Sequence, residues 1–321
     1  MSTPSTHEPS AKVSSLQSHR EAKRKSSAPS GTGQFSLEYF PPKGLSAERA
    51  LVTGAHALRR FKPAFQTVTF GAGGTATDGC FEWCDQLQNL TEIPTASHLA
   101  LCHFNNSDEL MVFADRLWDA DIKHLVVLRG DVEAEDGIGC AGYQSVAEAV
   151  AALKKRHKFI ISVSAYPEIH PKAASLDADI SVLLDKQKAG ADRAITQFFF
   201  DNEDFYRFRD RCEKAGVRIP LVPGIIPINN FERIRRFSEN CGAYVPEEFE
   251  QRFAAAGDDK AARTDVARAI VEEQVRDLAR NGVRHIHIYT LNRVDLAADT
   301  IRAFQAEFSG ETDEEDTALV G

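Results

Sequence analysis

No C-x-x-C pair occurs anywhere in the 321 residues, and the six cysteines stand apart at 80, 84, 102, 140, 212 and 241. Such spacing excludes a disulfide scaffold and reads as reduced, mostly buried thiols, the habit of a cytoplasmic protein. No apolar run reaches the roughly 18 residues that a membrane span needs. The N-terminus also lacks the apolar stretch of a signal peptide. Basic surplus is missing too: 38 Lys and Arg face 47 Asp and Glu, a net charge of −9. That balance argues against nucleic acid as a partner. Small anions stay open, because a few local Arg and Lys residues decide their binding. Internal repeats, a P-loop and a G-x-S-x-G elbow are all absent.

What is present is an ordinary globular composition, 43% hydrophobic and 26% charged, ample for a sizeable core. Residues 1–33 are rich in Ser, Pro, Lys and Arg and read as a flexible tail, with Lys23-Arg24-Lys25 solvated. Residues 309–321 form an acidic tail (Glu311, Asp313, Glu314, Glu315, Asp316). The folded body is expected over 34–308.

Within that body, eight β-branched or aromatic runs alternate with helical patterns: Phe35–Phe40, Phe65–Phe70, Ala96–Cys102, His124–Leu128, Phe159–Ala165, Arg193–Phe199, Ile219–Pro223 and His285–Thr290. Helical spacing is clearest at Leu110, Phe113, Ala114 and Leu117, and at Val271, Val275 and Leu278. Strands that alternate with helices must pair in parallel. Eight such units with no composition break predict a single α/β domain, a closed (β/α)₈ TIM barrel, with extra helices between strands 7 and 8 in the long connection from Asn229 to Arg280.

Barrel chemistry comes from the C-terminal ends of the strands. There the sequence delivers Glu38, Thr69-Phe70, His98, Arg129-Gly130-Asp131, Tyr166 to Pro171, Gln197, Pro223-Gly224 and Tyr289 to Arg293. Turns and caps account for the Gly and Pro residues. They account poorly for Glu38, Asp131 and Gln197, which are embedded in apolar sequence, because burying a carboxylate costs several kcal/mol unless it is paired or used. A shared pocket is the better reading.

Two pairs could bind metal: His285 with His287, and Cys80 with Cys84. No third or fourth ligand converges on either, so no metal is expected and both read as structural. A literal G-x-G-x-x-G at Gly137–Gly142 follows acidic residues rather than a strand, and Gly71-Ala72-Gly73-Gly74 reads as a loop; neither makes a Rossmann site.

Seven segments, in order, resemble the bacterial methylenetetrahydrofolate reductases: Ser36–Pro42, Val68–Ala72, Leu128–Asp131, Ala165–Glu168, Ala194–Asp201, Pro223–Pro227 and Tyr289–Arg293. The resemblance spans the body from Gln34 to about Arg302. It implies noncovalent FAD, reduced by NADH or NADPH, which then reduces methylenetetrahydrofolate in a ping-pong order. Carried over by position, Glu38 resembles the general acid, and its apolar strand end is expected to raise its pKa. Asp131 resembles a carboxylate beside flavin and folate. Gln197, Phe237, Arg233, Arg293, Thr69 and Asp131 resemble substrate-binding positions. Thr69, Phe70, Ala72, His98, Arg129, Gly130, Asp131, Tyr143, Tyr166, His170, Ala173, Asp179 and Lys186 resemble flavin-site positions, with Arg129 and Lys186 suited to pyrophosphate or ribose. Read without the family, Phe237 is equally a helix core position, and His98 and His170 core or capping residues. Tyr39 stands where the family commonly has Phe, and Phe70 where it has Tyr, which costs a hydroxyl at Phe70.

The resemblance further implies a homo-oligomer in one-carbon metabolism and methionine synthesis. The chain ends soon after the barrel, so inhibition by S-adenosylmethionine through an added regulatory domain is not expected. Three alternatives remain: a Schiff-base lyase barrel, for which no strand end offers a Lys; a flavin barrel of the proline dehydrogenase kind; and a non-enzymatic flavin- or folate-sensing protein.

Overall fold

The computed structural model describes residues 32–70, 76–130, 140–228 and 230–309. Eight parallel strands close in sequence order into a barrel: β1 (Gln34–Tyr39), β2 (Phe65–Val68), β3 (Thr95–Ala100), β4 (His124–Leu128), β5 (Ile160–Ala165), β6 (Arg193–Phe198), β7 (Leu221–Ile225) and β8 (His285–Tyr289). β8 pairs with β1, so no sheet edge is left open. The structure thus bears out the (β/α)₈ expectation, with strand limits shifted by a residue or two. The tails fall mostly outside the described residues, as do Lys23 to Lys25, Ala72, Asp131 and half of the Gly137–Gly142 stretch.

Most outward positions of the strands are apolar. Leu37, Val68, Leu99, Val127, Val163 and Ile288 are fully buried in the layer between barrel and helices. The helices reach that layer because their apolar faces and caps agree. In the helix Ser107–Asp119, the Asn106 side chain accepts from Glu109 N at 2.9 Å, and Glu109 answers by accepting from Asn105 N at 2.8 Å. Leu110, Phe113, Ala114 and Leu117 then lie buried on one face. The Ser145 hydroxyl caps Val146–Arg156 in the same way, accepting from Glu148 N at 3.2 Å.

Inward positions are mixed. Phe65, Ala96, Val126, Ile195 and Val222 make a small apolar plug, while Ser36, Glu38, Thr67, His98 and His287 are buried polar groups. Between β7 and β8 the chain forms three helices, Phe231–Cys241, Glu247–Ala255 and Lys260–Arg280. A second apolar cluster, including Phe198, Phe200, Ile226, Phe231, Phe249 and Phe253, fixes this insertion over the ends of β6 and β7. The helix Phe231–Cys241 is thereby held at the C-terminal rim of the barrel.

Candidate active site

Glu38 sits one residue before the end of β1 and is only 7% exposed. Register brings it beside Thr67 of β2 and Tyr289 of β8. Its Oε2 lies 3.3 Å from His98 Nε2 and 3.5 Å from His287 Nε2. Burial pushes the carboxyl pKa up, but hydrogen bonds and charge from His287 and His98 outweigh it and bring it down to about 2. This corrects the expectation of a raised pKa. The strand end is apolar in sequence, yet two imidazoles arrive from β3 and β8, and hydrogen bonds to the charged form favour it. The seam is tied above by Thr290, whose hydroxyl donates to Glu38 O at 2.6 Å.

His98 is therefore a partner of the carboxylate and lies 3.3 Å also from Thr67 Oγ1. His287, which the sequence reads as structural, is the second imidazole on this carboxylate. Its signal was the alternation His285, His287, Tyr289, which points all three the same way on one strand. Tyr289 closes the other side. Its hydroxyl donates to Thr196 O at 2.7 Å and its ring meets His287 edge-on at 5.2 Å.

Thr69 follows β2 at the same rim. Its hydroxyl is buried and has no hydrogen-bond partner among the described residues. A buried hydroxyl left so costs about 1–3 kcal/mol, which a bound polar ligand would recover. Phe70 beside it stacks on His103 at 5.5 Å and meets Phe104 and Phe113 edge-on. Tyr39 points the other way, into the helix layer beside Leu51, Gly54 and Val294. The residue that departs from the family there is not part of the site.

A basic group gathers beside these residues. Lys186 is 7% exposed; its ammonium donates to Ser164 O at 2.9 Å and forms no ion pair among the described residues. Burial lowers its pKa to about 8, against the pull of Asp179. Burial lowers the pKa of His170 as well; Asp179 acts against that, while Lys186, Arg129 and Lys172 add to it, so these charges converge. His170 N donates to Asp179 at 2.8 Å, Ala173 N donates to His170 O at 2.8 Å, and Tyr166 meets the His170 ring edge-on at 4.5 Å. Arg129 is exposed, and Gly130 after it has φ +93. A Cβ there would stand 2.0 Å from Cys102 Sγ, so only glycine fits. Tyr143 is half-buried, its pKa raised by burial and by Asp108. A buried ammonium that forms no ion pair among the described residues suits a phosphate.

On the far rim, Gln197 Oε1 accepts from Phe198 N at 3.0 Å, leaving its amide nitrogen without a partner among the described residues. Phe237 is 43% exposed and stacks on Phe198 at 5.4 Å, so it is not a core position. Arg233 and Arg293 are exposed at helix starts and make no ion pair among the described residues. Glu38, Thr69, His98, Gln197 and Phe237 thus share one end of the barrel. Among the described residues no group of three or more His, Cys, Asp or Glu could hold a metal ion. No described helix is long and apolar enough to cross a membrane.

A closed parallel barrel with its polar groups gathered at the C-terminal strand ends has the architecture of a (β/α)₈-barrel enzyme. The methylenetetrahydrofolate reductase family model matches residues 23–304, and the chain belongs to that family of oxidoreductases. It is 38% identical to the 5,10-methylenetetrahydrofolate reductase of Escherichia coli over 267 residues, 83% of this chain and 89% of that protein. The same-named protein of Buchnera aphidicola subsp. Schizaphis graminum is 38% identical over 266 residues, 82% of this chain and 89% of its own. Methylenetetrahydrofolate reductase (NADH) 1 of Zea mays is 31% identical over 279 residues, which cover 82% of this chain but 46% of the plant protein.

Proposed function

We propose that the chain reduces 5,10-methylenetetrahydrofolate to 5-methyltetrahydrofolate with hydride from NADH or NADPH, passed through noncovalent FAD in a ping-pong order. The observation that carries this reading is the buried Glu38 carboxyl at the catalytic end, held by two imidazoles next to the unpartnered Thr69 hydroxyl. The surrounding residues fit a flavin dinucleotide. Lys186 and Arg129 offer cations for its pyrophosphate or ribose, Gly130 leaves room for close approach, and Thr69 has a hydroxyl to spare. When bound, FAD supplies the hydride acceptor and donor that no protein side chain provides.

The protein's own part is to bind, orient and protonate. Gln197 has an amide free to hydrogen-bond either substrate, and Phe237 offers an exposed ring for stacking. Arg233 and Arg293 stand ready for the folate's carboxylates at the rim. Glu38 gives a proton to the folate nitrogen that leaves as the methylene bridge opens to the iminium ion. Asp131 lies outside the described residues; a carboxylate there would favour cationic folate species. The family resemblance also supports a cytoplasmic homo-oligomer serving one-carbon metabolism and methionine synthesis.

The test is an absorbance spectrum of purified protein, followed by anaerobic NADH and then methylenetetrahydrofolate. A flavin band that bleaches with NADH and returns with the folate supports the reading and its order. A colourless protein inert after added FAD refutes it. Glu38→Gln should keep the NADH step and lose the folate step; equal loss in both would remove Glu38 as the acid. Asp131→Asn should slow the folate step more than it weakens FAD binding.

A further inference from the structure

Barrel interiors of this class are normally filled with branched apolar side chains. Along the β1–β8 seam, this one is not. His285 Nε2 lies 3.2 Å from Ser36 Oγ. Ser36 Oγ lies 2.7 Å from His287 Nδ1. His287 Nε2 lies 3.5 Å from Glu38 Oε2. Register builds this series: Ser36 pairs with His287 and Glu38 with Tyr289, so the inward residues of the two strands interleave up the barrel. Ser36 and His287 are fully buried.

At its lower end the series meets a cavity of about 380 Å³, lined by Gln34, His124, Asp192, Arg193 and His285. These residues begin β1, β4, β6 and β8, so the cavity opens at the mouth opposite the active site. The rings of His285 and His287 pack on Phe65 at 5.8 and 6.1 Å, which steadies both beside the apolar plug.

We propose that His285, Ser36 and His287 form a proton relay that feeds Glu38 from solvent at the opposite mouth of the barrel. The inference rests on the reading of Glu38 as the acid. Folate and flavin bound at the catalytic end would cover a carboxyl already only 7% exposed, so its proton must arrive from within. The His285 Nε2 proton passes to Ser36 Oγ, the Ser36 hydroxyl proton to His287 Nδ1, and the His287 Nε2 proton to Glu38 Oε2. Each hop breaks one N–H or O–H bond and makes another. No electron is transferred, and as Nε2 gives up its proton His285 Nδ1 takes one from a hydronium ion in the lower cavity, leaving water.

The charges around the series favour passing protons over storing them. Arg193 from β6 faces both histidines, His124 from β4 shares the cavity, and His98 from β3 and Tyr289 from β8 flank the upper end. Burial, then Arg193 and His287, push the His285 pKa down to about 3. Burial also lowers that of His287, against the pull of Glu38. The longest gap, 3.5 Å, is at Glu38, so the last hop is expected to be the slowest.

The experiment is single-turnover kinetics on the full FAD-loaded chain, with flavin reduction by NADH as the internal control because it takes no proton from Glu38. Ser36→Ala removes one oxygen and should slow the folate step roughly tenfold or more, part of what a general acid contributes. His285→Ala should slow it too, and added imidazole, entering the lower cavity, should restore it. A merely structural role would not respond to imidazole. Wild-type rates in both variants, or slowing that imidazole does not relieve, would overturn the relay while Glu38→Gln still abolishes the folate step. If Glu38→Gln instead keeps that step, the acid assignment itself fails.

Discussion

Replacing Tyr39 by Phe removes a hydroxyl that the fold has buried without a partner. Tyr39 is 2% exposed, its oxygen has no hydrogen bond among the described residues, and the cleft beside it is too narrow to admit water. Burial raises its pKa, so the group stays a neutral phenol. Leaving such a hydroxyl unsatisfied costs about 1–3 kcal/mol, and the ring, which does the packing, is kept in Phe. For a domain of this size about 1 kcal/mol moves Tm by about 2 °C, so Tyr39→Phe should raise Tm by about 2–6 °C. Calorimetry should be run both without FAD and with it in saturating excess, because a ligand of the native state shifts Tm by itself. Both half-reactions should be unchanged, since the ring faces Leu51 and Gly54 rather than the barrel axis. A lower or unaltered Tm would mean that the hydroxyl has a partner. A changed NADH step would place Tyr39 in the site and refute its outward orientation.

Lys186→Met should act with opposite signs on fold and function: a buried ammonium held only by the Ser164 carbonyl and, at 3.5 Å, its hydroxyl is relieved, so the FAD-free Tm rises, while FAD binding measured by fluorescence weakens by roughly tenfold or more. Glu168 accepts from Tyr244 N at 2.8 Å, and burial, with Asp204 and Asp201 adding, raises its pKa to about 7. A raised carboxyl contributes stability that is full below its unfolded value and lost as pH rises through about 7; Tm against pH should therefore fall across that window in the wild type and flatten in Glu168→Gln. A Cβ at Gly224 would lie 2.2 Å from Thr196 O and 2.6 Å from the Tyr289 ring. Gly224→Ala should cost about 1–3 kcal/mol in denaturant unfolding and slow the folate step by shifting Tyr289.

The eight strands were legible because β-branched runs bounded by turn residues recur at helical distances, and the ladder His124–Leu128 matches to the residue. The insertion was legible only as length, since nothing local says that Phe231, Phe249 and Phe253 will pack over β6 and β7. Site residues at strand ends could be located for the same reason as the strands. Their environment could not. Glu38 and His287 are 249 residues apart in sequence and meet only through the closure of β8 on β1. Alternation fixes that Glu38 points in and Tyr39 out, but which imidazole stands opposite needs the register. Phe237 was undecidable from spacing, because a rim aromatic and a core aromatic repeat with the same period.

Register also changes what kind of acid Glu38 is. An isolated carboxyl in an apolar pocket would hold its own proton at neutral pH; one between His98 and His287 is a carboxylate whose proton comes from its neighbours. Protonated, it is the stronger acid, and the cost moves to delivering the proton. Glu38 and His287 share a hydrogen bond and titrate as a pair, so the folate step should report pKa values of that pair rather than of Glu38 alone. Stability gives an independent readout. Because the folded pKa of Glu38 is depressed, its contribution is present above about 4.5 and is lost as pH falls through about 2. Glu38→Gln keeps the size and the hydrogen-bonding oxygen but cannot titrate, so the acid limb of Tm against pH should become shallower in the variant. An acid limb of unchanged slope would mean that the two histidines do not hold Glu38 ionised, and the carboxyl would then carry its own proton.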